Sequence, residues 1–427
     1  MNPLDLLYVP AAVVTAPWWA RKTRTGWGER FGRIGPLPER TPGTPRLLIH
    51  AVSVGEINTL RGLVPLLREK GVEVVVSVST DTGIARARAL FADQSGVFVV
   101  RYALDFSPAV RRFLDTVRPD AVALVELEVW PNFVSACSRR AIPVSVINGR
   151  LSARSFRGYS RLRRFFRSTF GALAFAAVQD EDYAQRFRAM GVAPERVHVT
   201  GSMKWDATAL LTPGEILPGA DDLARELGID RSKPLIVAGS TAPIDTGGAY
   251  DCEEALLAAA LPPGAQLLCA PRKPEHRDKA YAALGGASAC TRRSDKRPAP
   301  PGTSRFLLDT IGELRAAYAL ADIAVIGRTF SNLGGSDPIE PIALSKPTII
   351  GSEYANFNSV VAAFKRADAI VEADAASLAA ALDDLLRNPE RRSVLAENGL
   401  AAIRAQQGAT ARHADMLLQL LRTRATV

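Results

Sequence analysis

The chain is poor in the residues that build metal sites and covalent staples. Four cysteines (Cys137, Cys252, Cys269, Cys290) stand far apart among 427 residues, with no CxxC pair. That spacing argues against a zinc ribbon or a disulfide framework and reads as buried, reduced thiols of a cytoplasmic protein. The four histidines (His50, His198, His276, His413) share no HxH or HExxH spacing, so no histidine-built metal site is expected. No GxGxxG or GxxxxGK[ST] occurs, which argues against a dinucleotide fold and a P-loop ATPase. No short-period repeat or low-complexity tract is present. An uninterrupted apolar span is missing as well. The first 20 residues are apolar, but Pro3, Pro10, Pro17 and Asp5 break them up, and a spanning helix needs ~20 apolar residues. A signal peptide would carry its basic residues before the apolar stretch, not after it.

What is present is a soluble-type composition, 47% hydrophobic with 23% charged residues and a net charge of +9. The length is that of two domains rather than one. The N-terminal order is apolar run, Trp18-Trp19, then "RKTRTGWGERFGR". It suits a segment lying on or dipping into a membrane, with its cations on the cytoplasmic side. The plainer alternative is a helix packed on the protein's own surface.

Short apolar runs alternate with amphipathic helical patterns. "RLLIHAV" (46–52), "VEVVVSVS" (72–79), "VFVVRY", "DAVALVELEV" and "IPVSVIN" read as strands of the first half. "PLIVAGS" (234–240), "AQLLCAP" (265–271), "ADIAVIG" (321–327) and "KPTIIGS" (346–352) read as strands of the second. Such alternation implies βαβ units and parallel sheets. The expected fold is α/β, with two Rossmann-like doubly wound domains facing a cleft. The expected boundaries are a membrane-associated segment 1–20, an N-terminal domain 21–205, and a C-terminal domain 206–427 whose last helix packs back on the first domain.

Ligands of such sheets bind beyond the carboxyl ends of the strands. After the first strand comes "HAVSVGE", with Ser53, Gly55 and Glu56. Glu56 falls in the first turn of a helix, where a carboxylate is favoured by the helix dipole or serves as a general base. On position alone the two readings stand level. "VELEVWPN" offers Glu126 and Glu128, which on a strand would point the same way and resist burial. "NGRLSARSFRGYSRLRRFFRSTFG" interleaves seven arginines, among them Arg150, Arg154 and Arg157, with aromatics. Arginine suits bidentate phosphate recognition. Nucleic acid is the rival partner, but no nucleic-acid module accompanies the stretch. In the second half the strand ends carry Ser240, Arg272 and "GGSDPIEP". "DTIGELRAAYALAD" reads as a helix capped by Asp309 or Thr310. Glycine turns and helix starts at one sheet edge are ready anion sites.

"HAVSVGE", "VELEVWPN", "NGRLSARSFRGY", "TGSMKWD", "APRKPE", "DTIGEL" and "GGSDPIEP…KPTIIG…NF" together resemble bacterial 3-deoxy-D-manno-octulosonic acid (Kdo) transferases. "WGERFG" resembles that family as well, and the likeness runs from about residue 4 to 425. It implies a GT-B glycosyltransferase that moves Kdo from CMP-Kdo to a lipid A precursor (lipid IVA) with inversion, without a metal or cofactor. The enzyme would work at the cytoplasmic face of the inner membrane and take no nucleic acid. Glu56 would be the base, with Glu126 and Glu128 the family's acidic pair. Ser240, Arg272, Ile311, Gly312, Glu313, Gly334, Gly335, Ser336, Asp337, Glu340 and Asn356 would line the CMP site. Glu340 would take the ribose hydroxyls. Ser53, Gly55, Arg150, Arg154, Arg157 and Lys204 would serve the acceptor and its phosphates.

Departures from the family pattern cluster in the nucleotide half. Ser336 and Asp337 stand for His-Asn, Lys273 for His, His276 for Arg and Glu353 for His. An insertion, "APIDTGGAYDC", follows "GST", and in the first half Asp81 replaces Pro. Asp337 and Glu353 bring negative charge toward an anionic donor, with Lys273 and Arg328 as the compensating cations. The alternatives are a divergent GT-B enzyme with another sugar or acceptor, a UDP-sugar 2-epimerase, and a non-catalytic membrane-associated protein.

Overall fold

The computed structural model describes Asp5 and residues 25–211, 215, 217–245 and 249–425. The chain forms two compact units, Met1–Ala207 with Gln406–Val427, and Thr208–Ala405.

In the first unit, β1 (Arg46–Ala51), β2 (Glu73–Val78), β3 (Val97–Arg101), β4 (Ala121–Val125), β5 (Val144–Gly149), β6 (Phe175–Val178) and β7 (Val197–Val199) form one sheet. Its order is β3-β2-β1-β4-β5-β6-β7, and every pairing is parallel. The inner strands are buried along their whole length, and mostly apolar, because helices cover both faces. On one face Leu48, Val122 and Val146 meet Phe113, Phe133 and Phe170. On the other, Leu47, Ile49 and Val76 meet Ile57, Leu60 and Leu63 of helix Val54–Glu69.

The C-terminal helix Ala409–Ala425 joins this second layer through Leu417 and Leu421. Burying each such side chain contributes about 1.5–3 kcal/mol. Asp206 fixes the start of that helix by accepting from the N–H groups of Gly408 at 2.7 Å and Thr410 at 2.6 Å. Asn148 N–H donates to His413 Nε2 at 2.8 Å, so the His413 proton sits on Nδ1, which donates to the Ala409 carbonyl. Helix Ala409–Ala425 is therefore part of the first unit.

In the second unit, β8 (Leu235–Thr241), β9 (Gln266–Pro271), β10 (Cys290–Arg292), β11 (Arg305–Leu307), β12 (Ile323–Ile326), β13 (Thr348–Ile350) and β14 (Val371–Glu372) run in the order β10-β11-β9-β8-β12-β13-β14. All pairings are again parallel. Both units are thus Rossmann-like, as the alternation predicts.

Two local expectations are corrected. β4 stops at Val125, so Glu126 and Glu128 do not alternate on a strand. The backbone leaves the sheet at Glu126, whose φ is +59°. The helix expected from Asp309 begins instead at Leu314 behind Glu313, because Gly312 at φ +97° breaks the turn ahead of it.

The segment 1–20 lies outside the described residues except for Asp5. Asp5 is buried and accepts from Ser107 N–H at 3.0 Å and Asn132 Nδ2 at 3.1 Å, so it caps helix Ser107–Val117 of the first unit. Among the described residues no helix is long and apolar enough to cross a membrane.

Candidate active site

Among the described residues, nine non-glycine residues have a positive φ. Five of them (Arg118, Ala141, Lys296, Ser345, Asp368) follow helices or sit in turns. The other four are Glu126, Asn148, Ser240 and Arg328, at the carboxyl ends of β4, β5, β8 and β12. Such conformations persist only where the surroundings enforce them, and they gather at functional sites.

In the first unit the strand ends converge on three carboxylates. Ser53 caps helix Val54–Glu69, its Oγ accepting from Glu56 N–H at 3.3 Å and donating to Glu56 Oε1 at 2.8 Å. Glu56 Oε2 accepts from Val52 N–H at 2.8 Å. This reciprocal arrangement is a variant of the capping box. It holds the carboxylate at the helix mouth with Gly55 exposed beside it. Burial pushes Glu56 up to about 7, against the hydrogen bond from Val52 and Ser53 and with help from the charges of Glu126 and Glu128. Glu128 is also raised, by burial and by Glu126, although Trp130 Nε1 donates to it at 2.9 Å. The three carboxylates therefore share one electrostatic site, reached through a turn rather than through strand alternation. Sequence reasoning passed over the capping contacts, for which the "SVGE" spacing was the available signal.

Arg150 follows β5, and its N–H donates to the Glu126 carbonyl at 3.4 Å. Burial works against its charge, but a hydrogen bond to Tyr183 and the charges of Glu126, Tyr183 and Asp180 keep its pKa raised. Arg154 and Arg157 are exposed on helix Ala153–Arg161, which is followed by helix Arg163–Gly171. Phe156, Tyr159 and Phe166 fasten the pair to the core, while Leu162 and Phe165 face solvent. Lys204 lies in the turn between Ser202 and Asp206, tied to β5 by Met203 N–H donating to Asn148 Oδ1 at 3.0 Å. Tyr159, Tyr183 and Asp180 belong to this neighbourhood although the sequence did not single out their roles.

In the second unit Ser240 is the penultimate residue of β8, at φ +61°. A Cβ at Gly327 would meet its carbonyl carbon at 2.6 Å, so only glycine lets β12 pass so close. Arg272 follows β9 with an exposed side chain, and its N–H donates to the Thr241 carbonyl at 2.9 Å. Gly335, at φ +81°, packs against the backbone of Tyr354, where a Cβ would stand 2.9 Å from Cα. Asn356 N–H donates to the Gly334 carbonyl at 3.0 Å, lacing the two loops together.

Beside them Glu340 is raised by burial and by Asp337, against the charge of Arg315, whose guanidinium lies 3.9 Å away. Ile311 is 85% exposed, an apolar side chain offered to solvent. Glu313 is held by Arg293 at 3.0 Å and by the Thr310 hydroxyl. Among the described residues no cluster of three or more histidine, cysteine or acidic side chains is arranged to hold a metal ion.

A family model described as 3-deoxy-D-manno-octulosonic-acid transferase (kdotransferase) matches residues 25–207. The 3-deoxy-D-manno-octulosonic acid transferase of Bordetella pertussis is 33% identical, over 94% of this chain and 94% of its own length. That of Haemophilus influenzae is 30% identical, over 97% and 95%. This chain belongs to the Kdo transferase family. Its fold is shared more widely. The UDP-GlcNAc 2-epimerase of Neisseria meningitidis superimposes with a TM-score of 0.56 at 15% identity, covering 88% of this chain and 100% of the other. Fold alone therefore does not choose between transferase and epimerase; the sequence relatives do.

The geometry accounts for several departures of this transferase from the family pattern. Asp337 Oδ1 accepts from Ile339 N–H at 3.0 Å, capping helix Ile339–Ala343. An asparagine there would make the same bond, so the aspartate keeps the cap and adds charge beside Glu340. The hydroxyl of Ser336 is buried without a hydrogen-bond partner among the described residues, a polar atom left open at the loop. His276 is buried, its Nε2 donating to Glu254 at 2.9 Å, whereas Lys273 and Glu353 are exposed. Asp81 binds Arg101 at 2.6 Å and the Thr25 hydroxyl at 2.9 Å. Those hydrogen bonds outweigh burial and hold its pKa below the usual carboxylate value. Asp81 therefore anchors the "WGERFG" segment to the sheet.

Proposed function

We propose that this chain transfers Kdo from CMP-Kdo to a hydroxyl group of a lipid A precursor, inverting the anomeric centre and using no metal ion. Glu56 removes the proton of the acceptor hydroxyl. The hydroxyl oxygen bonds to the anomeric carbon of Kdo as the bond from that carbon to the CMP phosphate oxygen breaks. CMP departs with the electron pair. The observation that carries this reading is Glu56 itself, a carboxylate held at a helix mouth with its pKa at about 7. A base tuned there is substantially ionised at neutral pH and still basic enough to accept a proton in the transition state. Glu126 and Glu128 support it by raising its basicity.

On the second unit, the turns bearing Ser240, Arg272 and Gly334–Asp337 take the phosphate of CMP through N–H groups and cations. Glu340 accepts from the ribose hydroxyls, and the exposed Ile311 lies against the base. Calorimetry with the full chain tests this half. CMP is expected to bind, and UDP to compete poorly. Binding of UDP with no detectable binding of CMP would contradict the donor assignment.

The arginines of the helix pair meet lipid phosphates at the cytoplasmic face of the inner membrane, with Leu162 and Phe165 entering the interface. The double variant Arg154→Glu/Arg157→Glu is expected to lose cosedimentation with phosphatidylglycerol vesicles at low salt. The wild type should lose it only as salt rises and screens the charges. Equal cosedimentation of both proteins would remove this face from the account.

A further inference from the structure

Two adjacent carboxylates in the second unit are fully buried, and the reaction described above does not use them. Glu253 and Glu254 open helix Glu253–Ala260, and both have 0% exposure. Carboxylates in a first helical turn ordinarily serve their own helix. These two reach away from it. Glu253 Oε2 accepts from the N–H groups of Ala242 at 3.0 Å and Arg328 at 2.7 Å, and its Oε1 accepts from Phe330 N–H at 3.2 Å. Glu254 Oε1 accepts from the Thr241 hydroxyl at 2.5 Å, and its Oε2 accepts from His276 Nε2 at 2.9 Å.

The partners fall on three different strand ends: Thr241–Ala242 at β8, His276 after β9, and Arg328 with Phe330 after β12. These are the turns that carry Ser240, Arg272 and Arg328. Two of the three are in the strained left-handed region, Ser240 at φ +61° and Arg328 at φ +62°. Strained backbone of this kind needs neighbours that over-determine it. Here the neighbours are the two carboxylates, one of which binds the N–H of a strained residue directly. Burial pushes Glu253 up to about 7, and its three N–H donors oppose that shift by favouring the ionised form.

We propose that Glu253 and Glu254 are positioning residues of the donor site, joining three separate strand-end turns into one fixed cradle for the donor phosphate. The proposal rests on the reading that these turns receive the nucleotide. Its own content is that their arrangement is imposed from behind by this carboxylate pair. A cradle built from backbone N–H groups recognises an anion only while its donors stay aimed at one point. Loosening any one of the three turns therefore weakens donor binding without touching the acceptor side.

Glu253→Gln in the full chain is the test. The amide keeps the volume of the carboxylate but turns an N–H₂ group toward backbone N–H donors that need an acceptor. Three measurements are made: CMP affinity by calorimetry, KM for donor and for acceptor, and hydrogen exchange at the amides of Ala242, Arg328 and Phe330. The expected result is about a tenfold weaker CMP affinity and a matching rise in donor KM. Acceptor KM should be unchanged, and the three amides should exchange faster.

A merely structural role would lower the active fraction, and with it kcat, while leaving CMP affinity and both KM values as they were; that result overturns the proposal. So does wild-type exchange at the three amides. If Glu253→Gln does not fold, Thr241→Val, which removes the hydroxyl bound to Glu254, is measured in the same way. Weaker CMP binding then supports the proposal, and unchanged binding overturns it. Should the wild type fail to bind CMP, the donor reading falls on its own. Hydrogen exchange in the variant then still decides whether the pair holds the three turns.

Discussion

Glu56→Gln is expected to lower kcat for Kdo transfer by about 10²–10⁴-fold, the usual contribution of a positioned general base. Glutamine is the informative replacement because it keeps the shape of the side chain and can still accept one of the capping bonds. Alanine would also loosen the start of helix Val54–Glu69, a cap loss costing roughly 1 kcal/mol. Two further measurements separate chemistry from folding. The first is the pH profile. The active form is the ionised carboxylate, and Glu56 is raised to about 7. Wild-type kcat/KM should therefore climb with pH and level off above about 7. The residual rate of the glutamine variant should lack that limb.

The second is stability. The folded-state pKa of Glu56 lies above its ordinary value of 4.5. The fold thus favours the protonated form, and the contribution of that group is complete below pH 4.5 and lost as pH rises through 7. Above pH 7 the wild type carries a partly buried charge that glutamine does not. The variant should then melt no lower than the wild type, and a variant that melts much lower would point to a structural role.

Glu340→Ala is expected to raise the donor KM by about 10²-fold while kcat changes far less. A hydrogen bond to a charged group contributes about 1.5–3 kcal/mol, and Glu340 is proposed to accept two from the ribose. The carboxylate is half-buried beside Asp337 and 3.9 Å from Arg315. Its removal relieves a repulsion with Asp337, so the folded unit should survive the change. Steady-state kinetics with donor varied at saturating acceptor checks this. A fall in kcat at unchanged donor KM would remove Glu340 from the ribose contact.

Much of the architecture was legible because it rests on patterns with a fixed period. The apolar runs at 46–52, 72–79 and 234–240 coincide with buried parallel strands, whose neighbours on both faces are helices. Most of the shortest strands were not legible. β14 spans only Val371–Glu372, and β7, β10 and β11 span three residues each, whereas the equally short β13 was read within the longer apolar run "KPTIIGS". Two or three residues show no period; tertiary pairing with longer neighbours makes them strands.

The site was legible as a set of segments, and its local geometry was not. Glu126 and Glu128 read as one strand face because the apolar run continues through Val129. The left-handed turn at Glu126 is a tertiary choice, made where β4 meets the end of β5. The helix at Leu314 begins later than its polar lead-in suggests because Gly312 and the ion pair of Glu313 with Arg293 take up that lead-in. The Glu253–Glu254 pair has no signature of its own. Two glutamates at a helix start look like dipole partners until the three turns they reach are brought together by the sheet.

The most direct test of the account is single-turnover transfer of labelled Kdo from CMP-Kdo to a tetra-acylated lipid A precursor at pH 8. Wild-type full-length chain and Glu56→Gln are measured side by side. The account predicts labelled lipid with the wild type and at least about 10²-fold slower transfer with the variant. Transfer by the variant at the wild-type rate, or no labelled lipid from a wild type that binds CMP, would contradict it.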